Sequence, residues 1–224
     1  MEISKAKQLL SEARMNRYLI ACDFKYFYSI EMYKKNLNVS KAFHPVLSLF
    51  EVILRNKLNT ELSKKSNDAN SILKQLELQN NPDKFTFSTY LNIKFKLPKN
   101  LKNLTPDNII SEQSFGFWTC FFENYNFKIL KGCPLNIFPT RPIQIKRKEI
   151  YLELNKIRRF RNRINHNEPI CFNKNKIDFS EAIEVYNSIL NLLQWIDPEI
   201  IDFINPIDNV LETINKKDPS SNGS

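Results

Sequence analysis

The hexapeptide Arg161–His166 (sequence RNRINH) combines an arginine, an amide and a histidine at a spacing suited to phosphate chemistry. A histidine can transfer a proton near neutral pH. An arginine presents a planar fork of donors that fits a phosphate group. With Asn162 directly after the arginine, the stretch holds the groups that metal-free cleavage of a phosphodiester needs. His166 is one of two histidines among 224 residues, so few other residues compete for the role.

A predicted helix over residues 145–165 carries this hexapeptide near its end. Its apolar side chains recur at steps of three and four, the period of a helix with one buried face. These apolar positions are Ile150, Leu154, Ile157, Phe160 and Ile164. On a helical wheel Arg161 falls among them, so it needs a carboxylate or phosphate partner, because an unpaired buried charge is costly. Pro169 disfavours helical geometry at Glu168, so we expect the helix to end near His166.

Basic residues cover the remaining faces of this helix and extend to its start at Lys146, Arg147 and Lys148. Because cations attract backbone phosphates, the basic face is a candidate RNA-binding surface. The candidate RNA-binding residues are Lys156, Arg158, Arg159 and Arg163, with Arg55 from another helix. The alternative is an ordinary solvated helix face.

A second predicted helix, over residues 43–65, offers a partner for Arg161. Its apolar positions are Phe43, Leu47, Phe50, Leu54 and Leu58. Glu51 falls on the same inward side, and Arg55 follows it by one helical turn. We predict that Glu51 contacts Arg161 where the two helices pack. The alternative is a partly exposed Glu51–Arg55 pair that never meets Arg161.

Other conspicuous side chains have structural explanations. A histidine at a helix end often serves as a cap that favours the helix dipole, which is the alternative for His166. His44 is predicted to be a loop or capping residue, with Ser40 as a candidate N-cap and Pro45 in the first turn of the helix. The aromatic cluster over residues 115–118 can stack bases, but its spacing favours core packing.

The pattern as a whole predicts an all-α fold, and the presence of only three glycines supports it, because all-β folds use glycine in turns. Further helices are predicted as two over residues 3–36 and one each over 70–79, 111–127, 180–195 and 199–214. We expect residues 1–215 to form one domain. Residues 82–144, punctuated by prolines, are expected to be an insertion or cap, and residues 216–224 a disordered tail.

Composition limits the partners. The net charge of +9 and the pI near 9.3 favour a polyanion, most simply nucleic acid. The alternative is a basic surface that binds nothing. Four cysteines without a C-x-x-C pair predict no metal site. No signal-peptide pattern and no apolar run of about 18 residues are found, so we expect a cytoplasmic protein with reduced thiols and no membrane span.

The chain resembles the Abi-like (abortive infection) proteins of bacteria, which belong to the HEPN superfamily of helical ribonucleases. The resemblance extends from about Arg17 to Ile200 and rests on five blocks in order. The blocks are Glu31–Tyr33 with Asn36, Phe43–Leu58, Ser114–Trp118, Arg158–Ile170 and Leu193–Pro198. The superfamily signature of an arginine, a polar residue, three residues and a histidine falls on Arg161, Asn162 and His166. Asn167 stands where many relatives have a second histidine.

The resemblance implies a HEPN-type helical bundle and a metal-independent endoribonuclease without cofactors. It implies that Arg161 binds the scissile phosphate, that His166 transfers the proton and that Asn162 positions RNA or the histidine. Glu51 would orient Arg161, and the product would be a 2′,3′-cyclic phosphate. The resemblance also implies a homodimer with one composite site, and two chains would supply the two histidines that acid and base catalysis in one step need.

The same resemblance implies a place in anti-phage defence, as the toxin of an abortive-infection or toxin–antitoxin system. RNA would be the substrate, and a small noncoding RNA a regulatory partner. Two alternatives remain open. One is an RNA-binding HEPN protein with little or no nuclease activity. The other is a non-nuclease HEPN protein, such as a partner in nucleotidyl transfer.

Overall fold

A computed structural model describes residues 2–64, 110, 111 and 113–216 of the chain. The described residues are mostly helical, which confirms the all-α prediction at the level of fold class. The α-helices with described bounds are α1 (Ile3–Leu10), α2 (Glu12–Ala21), α3 (Tyr26–Ser63), α4 (Phe115–Thr119), α5 (Asn124–Ile129), α6 (Arg147–Asn165), α7 (Ser180–Ile196), α8 (Glu199–Ile204) and α9 (Val210–Asn215). The predicted helix over 70–79, much of the predicted insertion and nearly all of the predicted tail lie outside the described residues.

Short elements complete the described structure. Three 3₁₀ segments cover Cys120–Phe122, Cys133–Ile137 and Asn205–Ile207. Two strands, β1 (Phe172–Asn173) and β2 (Lys176–Ile177), pair antiparallel as a small hairpin between α6 and α7. Phe172 pairs with Ile177, and Asn173 pairs with Lys176.

The chain divides into two compact units. Unit 1 comprises Met1–Leu47, Arg159–Leu190 and Asp202–Ser224, and unit 2 comprises Ser48–Arg158 and Asn191–Ile201. The division falls inside α3, α6, α7 and α8. The prediction of one domain over residues 1–215 stays a prediction.

Unit 1 is built around aromatic side chains from α2, α3, α6 and the hairpin. Tyr18 packs edge-on against Phe172, with ring centroids 4.9 Å apart, and Cys22, Met32 and Cys171 join the same cluster. Elsewhere in the unit Phe43 packs against Phe160, with centroids 4.8 Å apart, and against Tyr186. These contacts fix the C-terminal part of α6 to the unit by its apolar face.

Unit 2 buries the aromatic cluster formed by α4 and the 3₁₀ segment that follows it. Phe115 packs against Phe50, Phe117 packs against both Trp118 and Phe121, and Phe122 packs against Phe138. Phe115, Phe117 and Trp118 are all buried. The core-packing interpretation of residues 115–118 therefore holds, and these rings are not available to stack bases.

Helix α3 corrects the predicted helix start at residue 43 and the roles predicted for three residues. It is a single helix from Tyr26 to Ser63, so Pro45 lies in its interior rather than in a first turn, and Ser40 caps nothing. His44 is an exposed helical residue, not a loop or cap. The apolar spacing continues upstream through the buried Val39 and Ala42, and this burial outweighs the local cost of the proline. Pro45 is exposed, so water can solvate the carbonyl group that its ring leaves without a donor.

The predicted helix over residues 111–127 is also wrong as one element. It breaks into α4, the 3₁₀ turn Cys120–Phe122 and α5. Ser114 caps α4, because its hydroxyl accepts a bond from the backbone N–H of Phe117. At the break Glu123 is extended, and the Asn126 side chain donates to the carbonyl oxygen of Cys120 at 2.9 Å. A buried asparagine thus replaces the helical donor that a continuous helix would supply.

Helices α6 and α7 agree closely with the predictions for residues 145–165 and 180–195. All five predicted apolar positions of α6 are buried. Two segments, α8 and α9, stand where one short helix was predicted over residues 199–214, and the 3₁₀ turn Asn205–Ile207 with Pro206 separates them.

Among the described helices, α3 alone is long and apolar enough to cross a membrane when judged by length and composition. The core helix of a soluble protein passes the same test. Helix α3 has a buried face that includes Val46, Phe50 and Leu54. The prediction of no membrane span stays a prediction.

We expect Pro45→Ala to raise the thermal midpoint of the protein. A proline inside a helix costs about 3 kcal/mol, and about 0.4–1 kcal/mol of this is offset because proline restricts the unfolded chain. The net gain in the free energy of unfolding should be about 2–2.6 kcal/mol. Chemical denaturation followed by circular dichroism measures it. The neighbouring exposed His44→Ala is the control, and a destabilised Pro45→Ala protein would contradict a continuous α3.

Candidate functional site

The C-terminus of α6 presents His166 in a well-defined backbone structure. The N–H of Glu168 donates to the carbonyl oxygen of Arg163 at 2.8 Å. The N–H of Asn167 donates to the carbonyl oxygen of Ile164 at 3.0 Å. Asn167 has φ of 55°, in the left-handed region. These features define a Schellman motif, in which asparagine is a common substitute for glycine. The predicted end of the helix near His166 is confirmed, and His166 is its exposed C-cap residue.

Asn162 and Arg161 lie one turn before His166 in unit 1. Asn162 is exposed, and its backbone carbonyl oxygen accepts a bond from the N–H of His166 at 2.9 Å. Arg161 is half-buried, as its position in the apolar arc predicts. The three residues of the signature therefore share one helix end, with the histidine and the amide open to solvent.

Glu51 lies in α3 and is half-buried within unit 2. Arg161 belongs to unit 1, so the predicted Glu51–Arg161 contact joins the two units and stays a prediction. Both residues take part in interactions, and neither is an isolated charge.

Arg163 makes two contacts within unit 1 that the sequence analysis did not predict. One guanidinium nitrogen donates to the Glu181 carboxylate at 2.6 Å, and the other donates to the carbonyl oxygen of Pro169 at 2.5 Å. Glu181 lies in the first turn of α7. The arginine fork thus fastens the loop after α6 to the start of α7. These two contacts leave Arg163 with further N–H donors, and its predicted binding of RNA stays a prediction.

A second contact fixes the same loop. The backbone N–H of Ile170 donates to the side-chain oxygen of Asn36 in α3 at 2.8 Å, and Asn36 is 4% exposed. Asn36 stands in the first block of the resemblance, but no role was assigned to it. The available signal was a polar residue at helical spacing between the buried Met32 and Val39.

The other cations predicted to bind RNA differ in their contacts within the protein and in their exposure. Lys156 pairs with Glu153 at 2.7 Å, and Arg55 donates to the Asn56 side chain at 3.4 Å, both in unit 2. Arg158, also in unit 2, is half-buried, whereas Arg159 in unit 1 is exposed. Among the predicted RNA-binding residues, Arg159 is therefore the most accessible cation near His166.

Titration behaviour in unit 1 is set by local hydrogen bonds and burial. The Ser180 hydroxyl and backbone N–H and the Asn173 side chain hold the pKa of Asp178 below its usual value. Burial raises the pKa of the Cys171 thiol to about 11. Cys171 is therefore a neutral thiol near neutral pH, unsuited to nucleophilic chemistry. The described residues contain no group of three or more histidine, cysteine and acidic side chains that could hold a metal ion.

Comparison of the chain with models of known protein families, with curated proteins and with solved structures found no match.

Asn36→Ala tests how the loop is held. The substitution leaves the buried N–H of Ile170 without its acceptor, which should cost about 1–3 kcal/mol of unfolding free energy. Hydrogen exchange of the amides of Glu168, Ile170 and Cys171 should become faster than in the parent protein. The exposed Asn38→Ala, on the same helix, is the matched control. Unchanged exchange in the Asn36 variant would show that this hydrogen bond does not hold the loop.

Proposed function

We propose that the chain is a metal-independent endoribonuclease of the HEPN type, with Arg161 and His166 as its catalytic residues. The observation that carries the proposal is the placement of the signature at one helix end. His166 and Asn162 are exposed there, and Arg161 lies one turn away. The fixed Schellman end and the positive charge of the chain support the same proposal.

In this proposal His166 takes the proton from the RNA 2′-hydroxyl or gives one to the leaving 5′-oxygen. The 2′-oxygen attacks the phosphorus, the bond to the 5′-oxygen breaks, and the product carries a 2′,3′-cyclic phosphate. Arg161 binds the scissile phosphate and stabilises the charge that develops on its oxygens. Asn162 positions the RNA or the imidazole, and Glu51 orients Arg161.

Each chain has one candidate catalytic histidine, His166, and this favours a site shared by two chains. One imidazole cannot remove a proton and donate another in the same step. Two protomers bring two His166 side chains, one as base and one as acid. A C2 dimer places the same surface of both protomers together, which fits a self-complementary site.

The biological setting that we propose is an abortive-infection or toxin–antitoxin system directed against phage. A nuclease of this kind harms its own cell and needs restraint, and a small noncoding RNA is the restraining partner that we propose. The second candidate function is RNA binding with little or no cleavage. The exposed Arg159 beside Asn162 is compatible with that function as well.

His166→Ala should lower the RNA cleavage rate by about 10²–10⁴-fold, since a general acid or base contributes about that much. Arg161→Ala should lower it by about 10²–10³-fold, as loss of one charge-stabilising donor does. Cleavage should persist in EDTA and yield cyclic phosphate ends. Glu51→Gln should weaken cleavage and add little to Arg161→Ala.

The matched control for this experiment is His44→Ala, because His44 is the other histidine and is also exposed. It should cleave RNA at the rate of the unmodified chain. Cleavage by the Arg161→Ala/His166→Ala protein at an unchanged rate would refute the nuclease proposal. RNA binding without cleavage by the unmodified chain would favour the second candidate function.

Mixing His166→Ala chains with unmodified chains tests the shared site. If only dimers of two unmodified chains cut RNA, an equal mixture should retain about a quarter of the activity. Independent monomers would instead retain half. The measurement is the initial cleavage rate after the chains have been coexpressed or allowed to exchange, with light scattering to report the mass of the active species.

A further inference from the structure

A positively charged hairpin follows the candidate site in unit 1. Phe172 is buried and its cross-strand partner Ile177 is half-buried, so this pair faces the protein. The other pair, Asn173 and Lys176, is exposed together with the turn residues Lys174 and Asn175. The hairpin therefore presents a wholly polar edge with two lysines.

Arg17 adds a third cation to this hairpin. Its guanidinium carbon lies 4.1 Å from the centre of the Phe172 ring, and one of its nitrogens donates to the Lys174 carbonyl oxygen at 3.3 Å. Arg17 is nevertheless exposed. An arginine has five N–H donors, so these contacts orient the fork and leave donors for a ligand. The ring stacking holds the guanidinium beside the turn.

Acidic partners distinguish these three cations from two of the cations of α6. In the described part of the chain, no carboxylate lies within ion-pair distance of Arg17, Lys174 or Lys176, whereas Lys156 and Arg163 each pair with a glutamate. The carboxylate of Asp178, at the base of the hairpin, accepts hydrogen bonds from Ser180 and Asn173. These three cations are therefore available to bind an external anion.

We propose that Arg17, Lys174 and Lys176 form a phosphate-binding surface for RNA, separate from the groups that cleave it. This inference rests on the proposed function, because it takes RNA as the ligand. Eight residues separate His166 from Lys174 along the chain, so their Cα atoms lie within about 29 Å of each other. One RNA strand can therefore contact both, with the hairpin binding the backbone beyond the scissile phosphate.

The chemistry of the surface favours RNA over a membrane. Its exposed edge, residues 173–176, carries no apolar side chain that could enter a lipid layer. The exposed lysines act as point charges, and the arginine offers a fork, which together suit the repeated phosphates of a flexible strand. Contacts to backbone phosphates carry no base information, so we expect binding without sequence preference.

The test is RNA affinity of Lys174→Ala/Lys176→Ala in a His166→Ala background, which prevents cleavage during the measurement. Fluorescence anisotropy with a labelled single-stranded RNA should show about tenfold weaker binding, equivalent to about 1.4 kcal/mol. The slope of log K against log salt should decrease by about 1.4, because each phosphate contact contributes about 0.7 for single strands. Arg17→Lys should weaken binding less than Arg17→Ala.

Lys128→Ala/Lys131→Ala in the same background is the matched control, since it removes two exposed lysines from unit 2. It should bind RNA with nearly the parent affinity and salt slope. An equal loss in both lysine pairs would mean a net-charge effect and would overturn the hairpin proposal. An unchanged RNA affinity of the Lys174→Ala/Lys176→Ala protein would also overturn the hairpin proposal.

The outcomes for the two proposals are separable. If the parent chain binds RNA through the hairpin but yields no cleavage product, the nuclease proposal fails and the hairpin proposal stands. If the parent chain cleaves RNA and the hairpin pair binds it normally, the hairpin proposal fails alone. If the parent chain binds no RNA at any salt concentration, both fail.

Discussion

A buried hydrogen bond, from the backbone N–H of Ile170 to the side chain of Asn36, determines where the chain runs after α6. A buried N–H needs an acceptor, and the loop after a helix has no regular partner to supply one. Asn36 supplies it from α3. The segment between His166 and the hairpin is thereby held to unit 1 at one end. The Schellman motif of α6 holds the other end.

Arg163 strengthens this arrangement and illustrates why arginine is used there. Its planar fork bonds to a carboxylate and a carbonyl group at the same time, which a lysine ammonium does less well. A cation that the sequence predicts to bind RNA thus also fastens a loop. Net charge alone does not distinguish the two uses, because both need an exposed or half-exposed cation. The distinction comes from which cations already have acidic partners.

Several predictions succeeded because they rest on local periodicity. The buried face of α6, its end near His166 and the helix at Ser180–Ile196 follow from apolar spacing, proline positions and turn residues. The failures occurred where tertiary burial outweighs a local signal. Pro45 is accommodated inside α3 because the flanking apolar face is buried. The region after Ser111 breaks where Asn126 accommodates a bend that spacing does not indicate.

The sequence by itself determined the helical class, the phase of α6 and the co-location of Arg161, Asn162 and His166. These depend on the period of the helix, and a residue number is enough to assign a face. Only the tertiary structure decided that Arg163 fastens a loop, that Asn36 accepts a bond from Ile170 and that Arg17 stacks on Phe172. Each of these contacts joins residues from different elements. No local pattern encodes such a contact, because it depends on how those elements pack.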